Sequence, residues 1–306
     1  MPPPRTRWAL ITGASPGGMG EAEASAFLKR GINVVATSIE IDKKEAVEHV
    51  SPEPGTQDGF LVKLYLDVTS EKSIAAAVKT VEQLTDGKLD WLVNNAGYGY
   101  YTPILDTNIT SAKRSYDVNV FGLISVTQAF FPMLRAAQGT VLNQASIAGL
   151  QNFNRPYMGM YSSSKAAVLS LSNTMRLEFK PFGVRVVTLI TGPVKTEFFR
   201  NLQGAEVPEG SVYGMIREVV NARMRGSLGS GNGHDRFQVA RETVDELLRE
   251  DVPAYVTKGY MAGLLCWLYW LLPTSWADSY NNRGSGLDRL KSLLDGDIEE
   301  EKAKSS

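Results

Sequence analysis

Tyr161-Ser-Ser-Ser-Lys165 sets a phenol and an ammonium four residues apart, so that on a helix the two side chains are neighbours on one face. A phenol of pKa about 10 exchanges protons poorly near neutrality, and a cation beside it favours the phenolate and lowers that value. The pair is therefore a candidate proton donor and acceptor, although by itself it reads equally as an ordinary helix surface. Its neighbourhood gives it weight. Ser146, in Leu142-Asn-Gln-Ala-Ser-Ile-Ala-Gly149, follows a strand-like run, and open α/β sheets bind ligands outside the C-terminal ends of their strands.

A second group of residues suits a phosphate. Thr12-Gly-Ala-Ser-Pro-Gly-Gly-Met-Gly20 stands between a strand pattern and a helix pattern. Glycines there let the backbone turn sharply and approach a pyrophosphate, whose charge is met by free N–H groups and the helix dipole. A tight turn without a ligand is the simpler reading; the position after the first strand favours a dinucleotide site. Just past the second strand an acid would bond the ribose 2'-hydroxyl of NAD and a base would pair with the 2'-phosphate of NADP. The chain has Ser38-Ile-Glu40 there, with Lys43 and Lys44 close behind. Ser38 is small and uncharged, Glu40 opposes a phosphate, and the lysines either help one or form a solvated face; the expectation tilts to NADP(H), with NAD(H) permitted.

These groups need a frame that brings residues 12–20, 146 and 161–165 to one edge. Short β-branched runs alternate with longer helical patterns, which argues for βαβ units and a parallel sheet. Strands are expected over 8–12, 33–37, 60–66, 89–93, 140–143 and 184–190, and helices over 20–31, 71–84, 109–137 and 161–179. The charged segment 42–50 and a Pro/Gly loop separate the second and third strands. The chain has 306 residues, 32 Lys+Arg against 33 Asp+Glu and 43% hydrophobic content, which excludes collagen-like, largely disordered and strongly basic nucleic-acid-binding classes. The expected fold is a single α/β domain, a Rossmann-like doubly wound parallel sheet in three αβα layers. Residues 1–200 form its nucleotide-binding core and carry the catalytic groups. Residues 201–258, Gly-rich and polar, read as a substrate lid, 259–290 as an apolar then amphipathic segment that includes a helix, and 291–306 as a solvated charged tail.

Taken in order, TGASPGGMG (12–20), Asp67-Val68, Asn94-Asn95-Ala96-Gly97, Asn119 in YDVNVFG, Ser146, YSSSK (161–165) and ITGPVKTEF (190–198) resemble the short-chain dehydrogenase/reductase family over most of 7–199. The resemblance implies a catalytic tetrad of Asn119, Ser146, Tyr161 and Lys165. It implies cofactor contacts from Gly13, Ser15, Gly18, Met19, Gly20, Ser38, Asp67, Val68, Asn95, Ala96, Gly97, Tyr161, Lys165, Val194 and Thr196. Of these, Asp67 and Val68 meet the adenine, Asn95 steadies the sheet edge, and Val194 and Thr196 hold the carboxamide. Hydride then passes between nicotinamide C4 and a carbonyl carbon, and the oxygen that gains charge must receive a proton. Tyr161 donates it, Ser146 orients the oxygen, Lys165 lowers the tyrosine pKa and grips the ribose, and Asn119 holds a water that relays protons to Lys165. No metal is expected.

Three features depart from the family pattern. The glycine loop is one residue longer than TGxxxGxG, so Gly13, Gly18 and Gly20 take the three glycine roles and Pro16-Gly17 bulge outward. The interval from Ser146 to Tyr161 is long and contains a second phenol, Tyr157, which lacks a lysine four residues on. Thr191-Gly192-Pro193 replaces Pro-Gly. A non-catalytic nucleotide-binding protein used for regulation or docking is the alternative these irregularities raise; the intact tetrad argues against it.

Tyr260–Leu272 is nearly uniformly apolar. As a helix it spans about 20 Å, short of a bilayer core. It reads as a buried or subunit-contacting helix, as an interfacial membrane anchor using Trp267, Trp270 and Trp276, or as the wall of a lipophilic pocket. With the SPGGMG loop ending it is similar to the fungal-type branch of NADPH-dependent 1-acyldihydroxyacetone-phosphate reductases and 17β-hydroxysteroid dehydrogenase-like members, which implies a lipid or other bulky apolar ketone or alcohol as substrate. The resemblance also implies a homodimer or homotetramer through the long helices. A single cysteine, Cys266, and an N-terminus without an apolar leader point to a cytoplasmic location, with peripheral attachment to an intracellular membrane or lipid droplet as the anchor reading.

Overall fold

The computed structural model describes residues 6–42, 47–50, 58–202, 205–226 and 233–305. Apolar Trp8–Ile11 forms β1 and runs through the glycine loop into α1 (Met19–Leu28), where buried Ala22, Ala24 and Ala26 let the helix lie close to the sheet. Every residue of β2 (Asn33–Ser38) is buried, as befits a central parallel strand covered on both faces. β3 (Val47–Val50) pairs antiparallel with β4 (Leu61–Tyr65) at the sheet edge. The charged sequence gave no strand there, because an edge strand needs no apolar run.

α2 (Glu71–Thr85) begins at Ser70, whose hydroxyl accepts the Ser73 N–H, and buries Ile74, Ala77 and Val81. β5 (Trp91–Asn94) follows. The expected helix over 109–137 is three pieces: α3 (Ile109–Tyr116), a π-helical turn over Asp117–Gly122 and α4 (Leu123–Ala137). The stretch is long and apolar enough to cross a membrane by length and composition. Its apolarity is accounted for by Leu123, Val126, Phe130 and Leu134, which are buried in the core. Then come β6 (Thr140–Ser146), α5 (Gly159–Phe179), β7 (Arg185–Thr191), β8 (Val194–Lys195), α6 (Arg217–Met224), β9 (His234–Asp235), α7 (Arg236–Leu247), β10 (Tyr255–Lys258), α8 (Ala262–Leu271), α9 (Thr274–Asn282) and α10 (Leu287–Ser305).

The main sheet has the order β10-β7-β6-β5-β1-β2-β4-β3, parallel except for β3. Chain direction across the sheet reverses between β1 and β5, the switch point at which such sheets open a ligand crevice. One apolar layer packs α2, α4 and α5 on the sheet through Leu92, Phe130, Leu134 and Val168. The other packs α1 and α7 through Phe27, Trp91, Val244 and Leu247. These three layers are the expected αβα arrangement.

Segment 201–258 is not uniformly a covering loop. Its second half is scaffold: α7 buries Val239, Ala240, Val244 and Leu247 against α1, and β10 joins β7 in register Val256↔Leu189. α10 runs through the charged C-terminal residues as a continuous helix.

Candidate active site

The C-terminal ends of β1, β2, β4, β5, β6 and β7 feed loops that line one cleft of about 1340 Å³. At its first corner Gly13 has φ 67°, and a Cβ there would lie 2.7 Å from the Ala96 Cα. At Gly18, the N-cap of α1 with no side-chain cap, a Cβ would stand 3.0 Å from the Ser15 carbonyl. At Gly20 it would meet the Asn95 amide at 2.6 Å. The Asn95 side chain donates to the carbonyls of Thr12 and Gly13, both at 2.9 Å, and so fixes the loop's rim. This is a backbone cradle at an uncapped helix N-terminus, which fits a dinucleotide pyrophosphate. The inserted Pro16-Gly17 does bulge: Gly17 has φ 79°, and its carbonyl accepts the Glu197 N–H at 3.0 Å.

Ser38 and Ser15 share a hydrogen bond of 2.8 Å at the ribose end of the cradle. Asp67 lines the cleft with one carboxylate oxygen accepting from the Thr69 N–H and hydroxyl. Val68, Ala96, Gly97, Met19, Val194 and Thr196 also line it. Gly20 does not; it is a packing glycine behind the wall. Lys43 and Lys44 lie outside the described residues.

Ser146 ends β6, and its hydroxyl hydrogen-bonds the Tyr161 phenol and accepts the Ala148 N–H at 3.1 Å. Tyr161 is buried in the first turn of α5 between the rings of Tyr101 and Phe198, at centroid distances of 5.5 and 5.6 Å. Burial pushes the phenol up to about 12, opposed by the Ser146 hydrogen bond. The ammonium of Lys165 donates to the Gln144 carbonyl at 2.8 Å and lies 6.0 Å from the Tyr161 ring centroid; burial draws it down to about 8. The expected lowering of the tyrosine by this lysine is therefore not seen: desolvation dominates the phenol, and the cation is drawn to a carbonyl. A phenol held protonated is a competent proton donor to a carbonyl oxygen.

Asn119 sits in the π turn. Its Oδ1 accepts the Tyr98 N–H at 2.7 Å, while Nδ2 donates to the Tyr98 carbonyl at 3.0 Å and to Ser164 Oγ at 2.9 Å. The side chain thus pins the 98 loop to α5. The Asn94 amide donates to Asn143 on the neighbouring strand and to Thr127 on α4, both at 2.9 Å. Tyr157 donates to the Ser285 carbonyl at 2.9 Å, which removes it as a competing phenol. Sequence reasoning missed Tyr101 and Phe198, the rings that flank Tyr161; the aromatic run Tyr98–Tyr101 with one glycine inside it was the available signal.

Fold and site together define a nucleotide-dependent oxidoreductase with a serine–tyrosine–lysine centre. The family model "short chain dehydrogenase" matches residues 7–206, and the chain belongs to that family of oxidoreductases acting on CH–OH and C=O groups. It is 34% identical over 295 residues to the short-chain dehydrogenase srdE of Neurospora crassa, covering 96% of this chain and 97% of that one. It is 33% identical over 274 residues to an NADPH-dependent 1-acyldihydroxyacetone phosphate reductase of Schizosaccharomyces pombe, covering 84% and 86%. A solved short-chain dehydrogenase from Streptomyces avermitilis superposes with TM-score 0.68 at 26% identity, over 96% of this chain and 98% of that one.

Proposed function

We propose that this chain interconverts a ketone and a secondary alcohol on a lipophilic substrate, with NADP(H) as cofactor. The observation that carries this reading is the continuity of one cleft. The Ser146–Tyr161 pair opens directly onto a wall built by Tyr101, Phe153, Phe198, Tyr260, Met261 and Leu265. Such a wall suits an apolar body with a single polar reacting centre. When bound, a nicotinamide dinucleotide supplies or accepts the hydride. The residues do the rest: Ser146 fixes the carbonyl oxygen, Tyr161 delivers the proton, and Lys165, which here donates to the Gln144 carbonyl, would hold the ribose.

The preference for NADP(H) is supported by Ser38, an uncharged residue where an acid would repel a 2'-phosphate. The NADPH dependence and acylated substrate in the name of the Schizosaccharomyces pombe relative point the same way. Exposed Ile109, Phe121 and Leu177 on the long helices support a homodimer or homotetramer, and the apolar outer face of α8 supports a cytoplasmic protein seated on a lipid surface.

Titration with NADPH and NADH, followed by quenching of tryptophan fluorescence, tests the cofactor; NADPH should bind at least about tenfold more tightly, since a paired phosphate adds charge-assisted hydrogen bonds. Tyr161→Phe should bind NADPH as the parent does and lose turnover of medium-chain ketones by about a thousandfold or more. Retained turnover in that variant removes Tyr161 as the proton donor.

A further inference from the structure

Three arginines line the cleft that holds the catalytic pair, and none forms an ion pair among the described residues: Arg114, over the Tyr98 ring at 5.6 Å, and the neighbouring Arg155 and Arg223. Arg155 and Arg223 both line it, alongside Phe153, Tyr260 and Tyr280. Of the four acidic residues in the lining, Glu40, Asp67, Asp117 and Glu197, none pairs with either arginine among the described residues. The Arg155 guanidinium stacks 5.1 Å from the Phe153 ring centre, and its Nε is buried with no hydrogen-bond partner. Arg223 is buried to 8% exposure and is held by the turn after α9, donating to the carbonyls of Gly284 (2.9 Å) and Arg283. Burial, and after it the nearby Arg155 cation, press the Arg223 pKa down.

Arginines are placed by built structure here. The loop carrying Arg155 is the extra length between Ser146 and Tyr161, flanked by two non-glycine residues of positive φ, Asn152 (67°) and Tyr157 (71°). The C-terminal segment clamps it: Asn152 donates to the carbonyls of Tyr269 and Leu272, Asn281 donates to the Asn152 carbonyl at 2.7 Å, and Tyr157 reaches the Ser285 carbonyl. Strained backbone and neighbouring like charges persist where something else is gained, and a pair of guanidinium groups beside aromatic rings is suited to the oxygens of a carboxylate or phosphate.

We infer that Arg155 and Arg223 form an anion-binding subsite, and that the lipophilic substrate of this cleft carries a carboxylate or phosphate group. The inference rests on the reading of the cleft as a substrate site and goes further in naming the polar end of the substrate. Its test is binding, read without turnover: calorimetric titration of the NADPH-loaded full chain with dodecanoate, dodecyl phosphate and neutral dodecanol, each below its aggregation threshold. At least one anion should bind about tenfold or more tightly than dodecanol, and the tighter anion names the class. Arg155→Gln should shrink that advantage to within about threefold while leaving dodecanol and NADPH affinity unchanged, and Arg155→Lys should retain part of it.

Equal binding of all three ligands by the parent overturns the inference. So does an anion advantage that survives Arg155→Gln, the decisive variant, because Arg223→Gln also removes the bonds to Arg283 and Gly284. A protein that binds dodecanoate this way yet reduces no ketone breaks the oxidoreductase reading and leaves the subsite standing. One that reduces neutral ketones without any preference for anions does the reverse.

Discussion

Tyr161, Lys165 and Ser146 were legible as chemistry because a helix converts a spacing of four into contact and a strand end converts a position into a sheet edge. Arg155, Phe198 and Tyr101 were not, since only tertiary folding brings positions so far apart in sequence to one cleft. The most consequential silent residue is Glu23 in α1, which is fully buried with neither carboxylate oxygen bonded among the described residues. Burial raises it from 4.5 to about 8. The folded state therefore keeps a proton that the unfolded chain gives up near 4.5, and between those values the native state binds more protons. Stability then falls as pH rises from about 4.5 towards 8 and levels beyond. Glu23→Gln removes this dependence: its melting temperature should exceed the parent's by on the order of 5 °C at pH 8 and match it near pH 5. Equal melting curves at both pH values would show that the carboxyl is solvated after all.

Among elements, the strands and the helices between them followed from apolar periodicity, because parallel strands covered on both faces must be apolar runs. β10 escaped notice: Tyr255–Lys258 is only four residues with one fully buried side chain, and it is a strand because β7 offers an open flank. The π turn at Asp117–Gly122 is also silent in periodicity, since one extra residue per turn leaves the apolar pattern on either side intact. It ends at Gly122, where a Cβ would stand 2.8 Å from Val68 Cγ2 and 3.0 Å from the Asp117 carbonyl. Gly122→Ala should therefore overpack the junction by about 1–3 kcal/mol and push Val68 into the cleft it lines. A lowered denaturation midpoint together with a several-fold weaker NADPH affinity is the expected pair of results; an unchanged NADPH affinity would separate the π turn from the nucleotide site.

For the whole molecule, the C-terminal segment decides how the cleft meets its surroundings. α8 buries Ala262, Leu265 and Tyr269 against the body and turns Leu264, Trp267, Trp270 and Leu271 outward, with Trp267 69% and Trp270 77% exposed; Trp276 of α9 is 68% exposed. Its ten residues span about 15 Å, too short to cross a bilayer. An outward tryptophan-rich face on a short helix is suited to lie in the headgroup region instead. Tyr260, Met261 and Leu265 belong both to this segment and to the cleft lining, so a lipid surface under α8 would deliver an apolar substrate to the cleft without passage through water. The full chain should therefore float with phosphatidylcholine vesicles, and Trp267→Ser with Trp270→Ser should reduce the floated fraction by about tenfold, as loss of two interfacial anchors requires, while NADPH binding is unchanged. Failure of the parent to float defeats the idea. So does a double variant that still floats but has lost a subunit by light scattering, since the tryptophan face would then belong to a second copy of the chain.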